Sequence, residues 1–111
     1  MAVALEVSVG FAGPRRSLRV AGEVDMSNAS ILADAISFLC DGRGDAVLDL
    51  TDVRFIDSSG VGVILRAAKQ LSSDHRRMTI RPSRPVERVI DLMGVSLLPN
   101  LELERAASET G

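Results

Sequence analysis

The stretch Val53 to Leu71, VRFIDSSGVGVILRAAKQL, constrains the fold of this chain more than any other. The apolar pair Phe55-Ile56 ends at Asp57-Ser58-Ser59-Gly60, and a helical pattern begins at once. Val61, Ile64, Leu65, Ala68 and Leu71 recur at the spacing of one helix face, while Arg66, Lys69 and Gln70 fall on the other. The spacing predicts a helix over about 58 to 73 that follows directly on a buried segment. Two serine hydroxyls then stand at a helix N-terminus, where unpaired N–H groups and a partial positive charge favour an anion. The same residues are also ordinary N-cap chemistry.

Further elements alternate around this junction. Leu5, Val7 and Val9 predict a first strand, Gly13-Pro14 a turn, and Ser17 to Ala21 a second strand that pairs with the first as a hairpin. After Gly22-Glu23-Val24-Asp25, Ser27 or Asn28 can cap a helix whose Ala29, Leu32, Ala35, Ile36, Leu39 and Cys40 face inward. Asp41-Gly42-Arg43-Gly44 ends that helix. Ala46 to Leu50 reads as a buried central strand. Met78 to Arg81 is a further strand, and Pro85 opens a third helix with Val86, Val89, Ile90 and Met93 inward and Gly94 as its stop. Leu101 and Leu103 predict a last strand, with room for a short helix before it. Residues 106–111 are expected to fray. The order β-β-α-β-α-β-α-β implies crossovers and a mainly parallel sheet in one domain spanning 1–105.

Composition narrows the chemistry. The 111 residues carry a net charge of −2 and contain no Trp or Tyr, which gives no charge or stacking platform for nucleic acid. No apolar run approaches the roughly 20 residues of a membrane span. The first residues alternate like a strand and lack the early positive charge of a signal peptide. A single cysteine, Cys40, forms no intrachain disulfide, which fits a reducing cytoplasm, and its place on an apolar helix face reads as a small core residue. Arg76, Arg77, Arg81, Arg84 and Arg88 read as a solvated basic surface. Arg43-Gly44-Asp45 reads as a turn, although the tripeptide is adhesion-like.

Catalytic motifs fit poorly. A nucleophile elbow requires G-x-S-x-G, and the chain has D-S-S-G-V-G. The one histidine, His75, lies sixteen positions after Ser59, which is roughly 24 Å if helix joins them. Gly60-Val61-Gly62 lacks the third glycine of a dinucleotide fingerprint, and no P-loop is present. One His and one Cys leave a metal without ligands, and no cofactor is expected.

Three segments together resemble the STAS-domain family, specifically the bacterial anti-sigma factor antagonists. Gly22-Glu23-Val24-Asp25 resembles the family's G-E-[LIV]-D turn. Leu48-Asp49-Leu50 with Val53 to Gly62 resembles its central strand and phosphorylation loop, and Val89 to Val95 its third helix with the closing glycine. The resemblance implies an α/β STAS fold, with a mixed sheet of about five strands and three to five helices packed against it. It implies a non-enzymatic, cytoplasmic regulator of transcription, monomeric or weakly dimeric. The implied partner is an anti-sigma factor that is also a serine kinase. That partner phosphorylates the second serine of the loop, here Ser59; the unmodified form binds it and frees a sigma factor, and a separate phosphatase resets the cycle. The implied contact surface is Asp25, Ser27, Asn28, Asp57, Ser58, Ser59, Gly60 and Gly62. STAS domains also serve as subunits of lipid-transport ATPases or of stress-signalling assemblies, and that alternative stays open here.

Overall fold

β1 (Leu5–Ala12) and β2 (Arg15–Val24) form an antiparallel hairpin closed at Gly13, whose φ of 64° lies in the left-handed region. The computed structural model describes residues 5–94 and 98–105. After the hairpin come α1 (Ala29–Asp41), β3 (Ala46–Ile56), α2 (Ser58–Ser73), β4 (Met78–Pro82), α3 (Arg84–Met93) and β5 (Leu101–Leu103). The five strands lie in the order β1-β2-β3-β4-β5, and every pair after the hairpin is parallel. The expected α/β class and mixed five-stranded sheet are therefore observed, with three helices among the described residues. The short helix expected before the last strand falls partly on 95–97, and the expected fraying on 106–111; both lie outside the described residues.

The core is the sheet face that carries Leu18, Val20, Leu48, Leu50, Met78 and Ile80, all fully buried. Against it pack Leu32, Ile36 and Leu39 of α1, Val61, Ile64, Ala68 and Leu71 of α2, and Val86 and Ile90 of α3. Cys40 is only half-buried at the margin of this cluster. Burial pushes its thiol above the ordinary range, so it is held as the uncharged form.

The structure departs from, or adds to, the sequence reading at several places. The central strand does not stop at Leu50 but runs to Ile56, because two register shifts against β2 let it bulge past exposed Thr51 and Asp52. The shifts also turn Phe55 outward, 47% exposed beside buried Ile56. Val7 and Val9 sit opposite Val20 and Leu18 but remain exposed, since β1 is an edge strand that α1 only partly covers. Met93, expected inward, is likewise exposed at the end of α3. Arg76 does not belong to a solvated cluster. It is buried and donates to the carbonyls of Leu39, Cys40 and Gly44, closing the C-terminal end of α1. Of its supposed companions, Arg77 and Arg81 pair with Glu102 and Glu104.

Candidate functional site

In a parallel pair, both strands end at the same edge. Val24 is the register partner of Ile56, so the chain leaves β2 and β3 side by side. The Asp57 amide donates to the Val24 carbonyl at 3.1 Å and ties the two exits together. The segments beginning at Asp25 and Asp57, far apart in sequence, thus form one surface, at the edge where open α/β sheets bind partners.

Asp57 caps α2. Its Oδ1 accepts from the amides of Ser59 at 2.9 Å and Gly60 at 3.3 Å. This assigns the capping role to the aspartate alone. Among the described residues the hydroxyls of Ser58 and Ser59 make no hydrogen bond, and Ser58 is exposed while Ser59 is half-buried. Neither serine is needed to close the helix.

The loop after β2 is held differently. Asn28 stands at the N-cap position of α1 but makes no capping hydrogen bond. Its Oδ1 accepts from the Asp25 amide at 3.0 Å and its Nδ2 donates to the Glu23 carbonyl at 2.9 Å. Asn28 is therefore a buried brace for the loop, not an exposed contact. Ser27 remains exposed and donates through its hydroxyl to Asp25 at 2.6 Å. That bond, with the Ser27 amide, holds the Asp25 carboxyl below its ordinary value.

The two glycines divide. A Cβ on Gly60 would meet side-chain carbons of Ile56 and Val24, each at 2.7 Å, so its bare Cα is what lets α2 seat on the sheet. Gly60 is buried and offers no surface to a partner. A Cβ on Gly62 would meet only the Arg66 Nη1, at 3.5 Å, an ordinary contact. The fold does not demand glycine there. Gly62 lies with Ser59 in a shallow groove between the head of α2 and the start of α1, walled by Met26, Ala29 and Ala33.

Met26 and Phe55 were not foreseen at this edge. Met26, 80% exposed, heads the groove wall, and the signal for it was an apolar residue between Asp25 and Ser27 in a polar turn. His75 lies beyond the far end of α2 from Ser59, so no serine–histidine pair forms. Among the described residues no group of three or more His, Cys, Asp or Glu could hold a metal, and no helix is long and apolar enough to cross a membrane.

Residues 7–102 match the family model described as Mlab, STAS domain. The chain belongs to the STAS-domain family. An anti-sigma factor antagonist from Mycobacterium paratuberculosis is similar at 25% identity with a TM-score of 0.79, covering 89% of this chain and 86% of that one. The unphosphorylated antagonist SpoIIAA is similar at 22% identity and a TM-score of 0.72, over 96% of this chain and 91% of its own. Phosphorylated SpoIIAA from Bacillus is similar at 21% identity and a TM-score of 0.68, over 96% and 95%. This STAS domain therefore has the fold found in anti-sigma factor antagonists, and that fold is common to both phosphorylation states of one of them.

Proposed function

We propose that this STAS domain is an anti-sigma factor antagonist controlled by phosphorylation of Ser59. Unmodified, it binds an anti-sigma factor with serine-kinase activity and so releases a sigma factor. The kinase inactivates it by modifying Ser59, and a phosphoserine phosphatase restores it. The contact surface is the edge carrying Asp25, Met26, Ser27, Ser58, Ser59 and Gly62, with Asp57, Asn28 and Gly60 shaping it from beneath. The observation that carries this reading is that Asp57 caps α2 alone, leaving the Ser59 hydroxyl without a structural task at an open groove.

The switch works by exclusion. A phosphate adds roughly −1.5 to −2 charges at neutral pH. At the head of α2 it meets the positive end of the helix dipole, while Asp57 keeps the capping amides, so the domain stays folded. Within a packed interface it is desolvated, next to the Asp57 carboxylate. An unpaired charge buried in this way costs on the order of 2–5 kcal/mol, or roughly thirty- to several-thousand-fold in affinity.

The test joins this chain to candidate kinase-type anti-sigma factors with ATP. Intact mass and peptide mapping are expected to place one phosphate on Ser59. Titration calorimetry is expected to show weaker binding for Ser59→Asp, weaker still for the phosphorylated protein, and constitutive binding for Ser59→Ala. Phosphate on Ser58, Ser27 or Thr51, or equal affinity of both forms, refutes the reading. Co-purification with a transporter ATPase in place of an anti-sigma factor assigns the domain to lipid transport instead.

A further inference from the structure

The groove beside Ser59 carries one charge. Of the described residues that line it, Arg66 alone is ionic; the α1 wall offers Met26, Ala29 and Ala33. Positions seven apart on an α-helix differ by only about 20° in direction, so Ser59 and Arg66 share a face of α2. Helical side chains lean toward the N-terminus. Arg66 does so here, since its Nη1 comes within 3.5 Å of the place a Cβ on Gly62 would take. The guanidinium thus lies near the level of Gly62, three residues or about 4.5 Å of helix rise from Ser59. The Ser59 Cβ leans the same way, so a phosphate there must turn against that lean, toward Gly62, to meet the guanidinium.

Charge points the same way. Arg19, Arg54, Arg76, Arg77, Arg81 and Arg105 each have a carboxylate within ion-pair distance. Among the described residues Arg66, which is exposed, has none; Arg15, Arg16, Arg43, Arg84 and Arg88 also have none, but of the six Arg66 alone lines the groove. The carboxylates at the edge where β2 and β3 end are already engaged: Asp57 by the amides of Ser59 and Gly60, Asp25 by Ser27.

We propose that Arg66 receives the phosphate on Ser59, which turns back along α2 and pairs with the guanidinium above Gly62. This rests on the reading of Ser59 as the modified residue and adds the group that holds the modified state. A charge-assisted, forked contact suits guanidinium and phosphate. The pair lays the anion along the groove, so the surface that a partner would fill is occupied as well as charged.

The experiment uses the full chain with phosphoserine placed at position 59 during synthesis, so it depends on no kinase. Phosphorus NMR follows the second ionisation of the phosphate in the parent chain, Arg66→Gln and Arg66→Lys. The parent value is expected to lie about 0.2 to 0.7 units below that of Arg66→Gln, the range for an exposed ion pair. Arg66→Lys is expected to keep part of the difference, and 1 M salt to shrink it. In the parent chain the side-chain Nε–H signal of Arg66 is expected to move on phosphorylation while that of Arg43 stays. Equal phosphate values in parent and Arg66→Gln, or an unmoved Arg66 signal, overturn the assignment. Failure of every kinase to modify Ser59 would remove the switch itself and leave these measurements unaltered, so the two failures are distinguishable.

Discussion

Gly60 and Gly62 stand two residues apart on the same helix, and alanine at each is expected to act in opposite directions. At Gly60 the added methyl lies 2.7 Å from Val24 Cγ1 and from Ile56 Cγ1, both in side chains that are at most 2% exposed. Neither neighbour has free space to retreat into, and α2 must lift from the sheet or both side chains must leave their rotamers. Overpacking of this kind costs about 1–3 kcal/mol. The helix preference of alanine over glycine, at most about 1 kcal/mol, offsets only part of it. At Gly62 the nearest atom is the end of a flexible arginine at 3.5 Å, so the same preference acts unopposed and stabilises by about 0.4–1 kcal/mol. Urea unfolding followed by circular dichroism separates the two, with unchanged slopes and midpoints that move down for Gly60→Ala and up for Gly62→Ala. Partner titration then adds the functional half: Gly62→Ala, though more stable, is expected to bind the anti-sigma factor more weakly, because its methyl projects into the groove. A Gly60→Ala protein as stable as the parent refutes the packing argument. A Gly62→Ala protein with undiminished affinity refutes the placement of the contact surface.

Other perturbations test the remaining assignments. Asp57→Ala is expected to lower stability by about 0.5–2 kcal/mol in thermal melts, since it is the sole side-chain cap of α2, whereas Ser59→Ala is expected to change it by less than about 0.5 kcal/mol. Arg76→Met removes charged hydrogen bonds to three carbonyls at 2.6–2.8 Å and is expected to cost at least about 2 kcal/mol, with amide exchange rising first at the end of α1. The Asp25 carboxyl titrates below its ordinary 3.8 because Ser27 donates to its charged form. Its contribution to stability is therefore full above that value and is lost as pH falls through the lower folded one. Carbon NMR of Ser27→Ala is expected to show the Asp25 value returning upward, and an unmoved value would remove the Ser27 bond from the account.

Element order was legible because periodicity switches cleanly along this chain. The α2 stripe of Val61, Ile64, Ala68 and Leu71 and the stop at Gly94, with φ 70°, left few alternatives. What periodicity could not reveal was a break in its own rule. The bulges of β3 shift the alternation between Leu50 and Ile56, so Phe55 reads as core and points outward. Nor does composition distinguish an arginine that terminates a helix from one on the surface; burial of Arg76 depends on where β4 begins relative to the end of α1, a tertiary fact. At the site, the D-S-S-G motif marks the proposed surface, and three of the residues named for that surface, Asn28, Asp57 and Gly60, also hold the edge together through their own bonds and packing. Both functions use the same residue types, and only the direction of each bond separates them.

That separation bears on how the proposed switch would work in so small a domain. A modified residue that also capped its helix would couple phosphorylation to the stability of the fold. Here the capping bonds go to the Asp57 carboxylate, and the amides they use belong to Ser59 and Gly60, so the Ser59 side chain is spared while its backbone is fixed. Gly60 seats the helix and Gly62 does not, so the groove can vary without loosening the core. On the proposed reading, a phosphate on Ser59 would change what docks at this edge while α2 remains in place. Melting curves of the two Ser59 states are accordingly expected to differ by less than partner affinity does when both are converted to free energy. A phosphorylated form that unfolds instead would place the switch in the helix, and exclusion at the surface would no longer be needed to explain it.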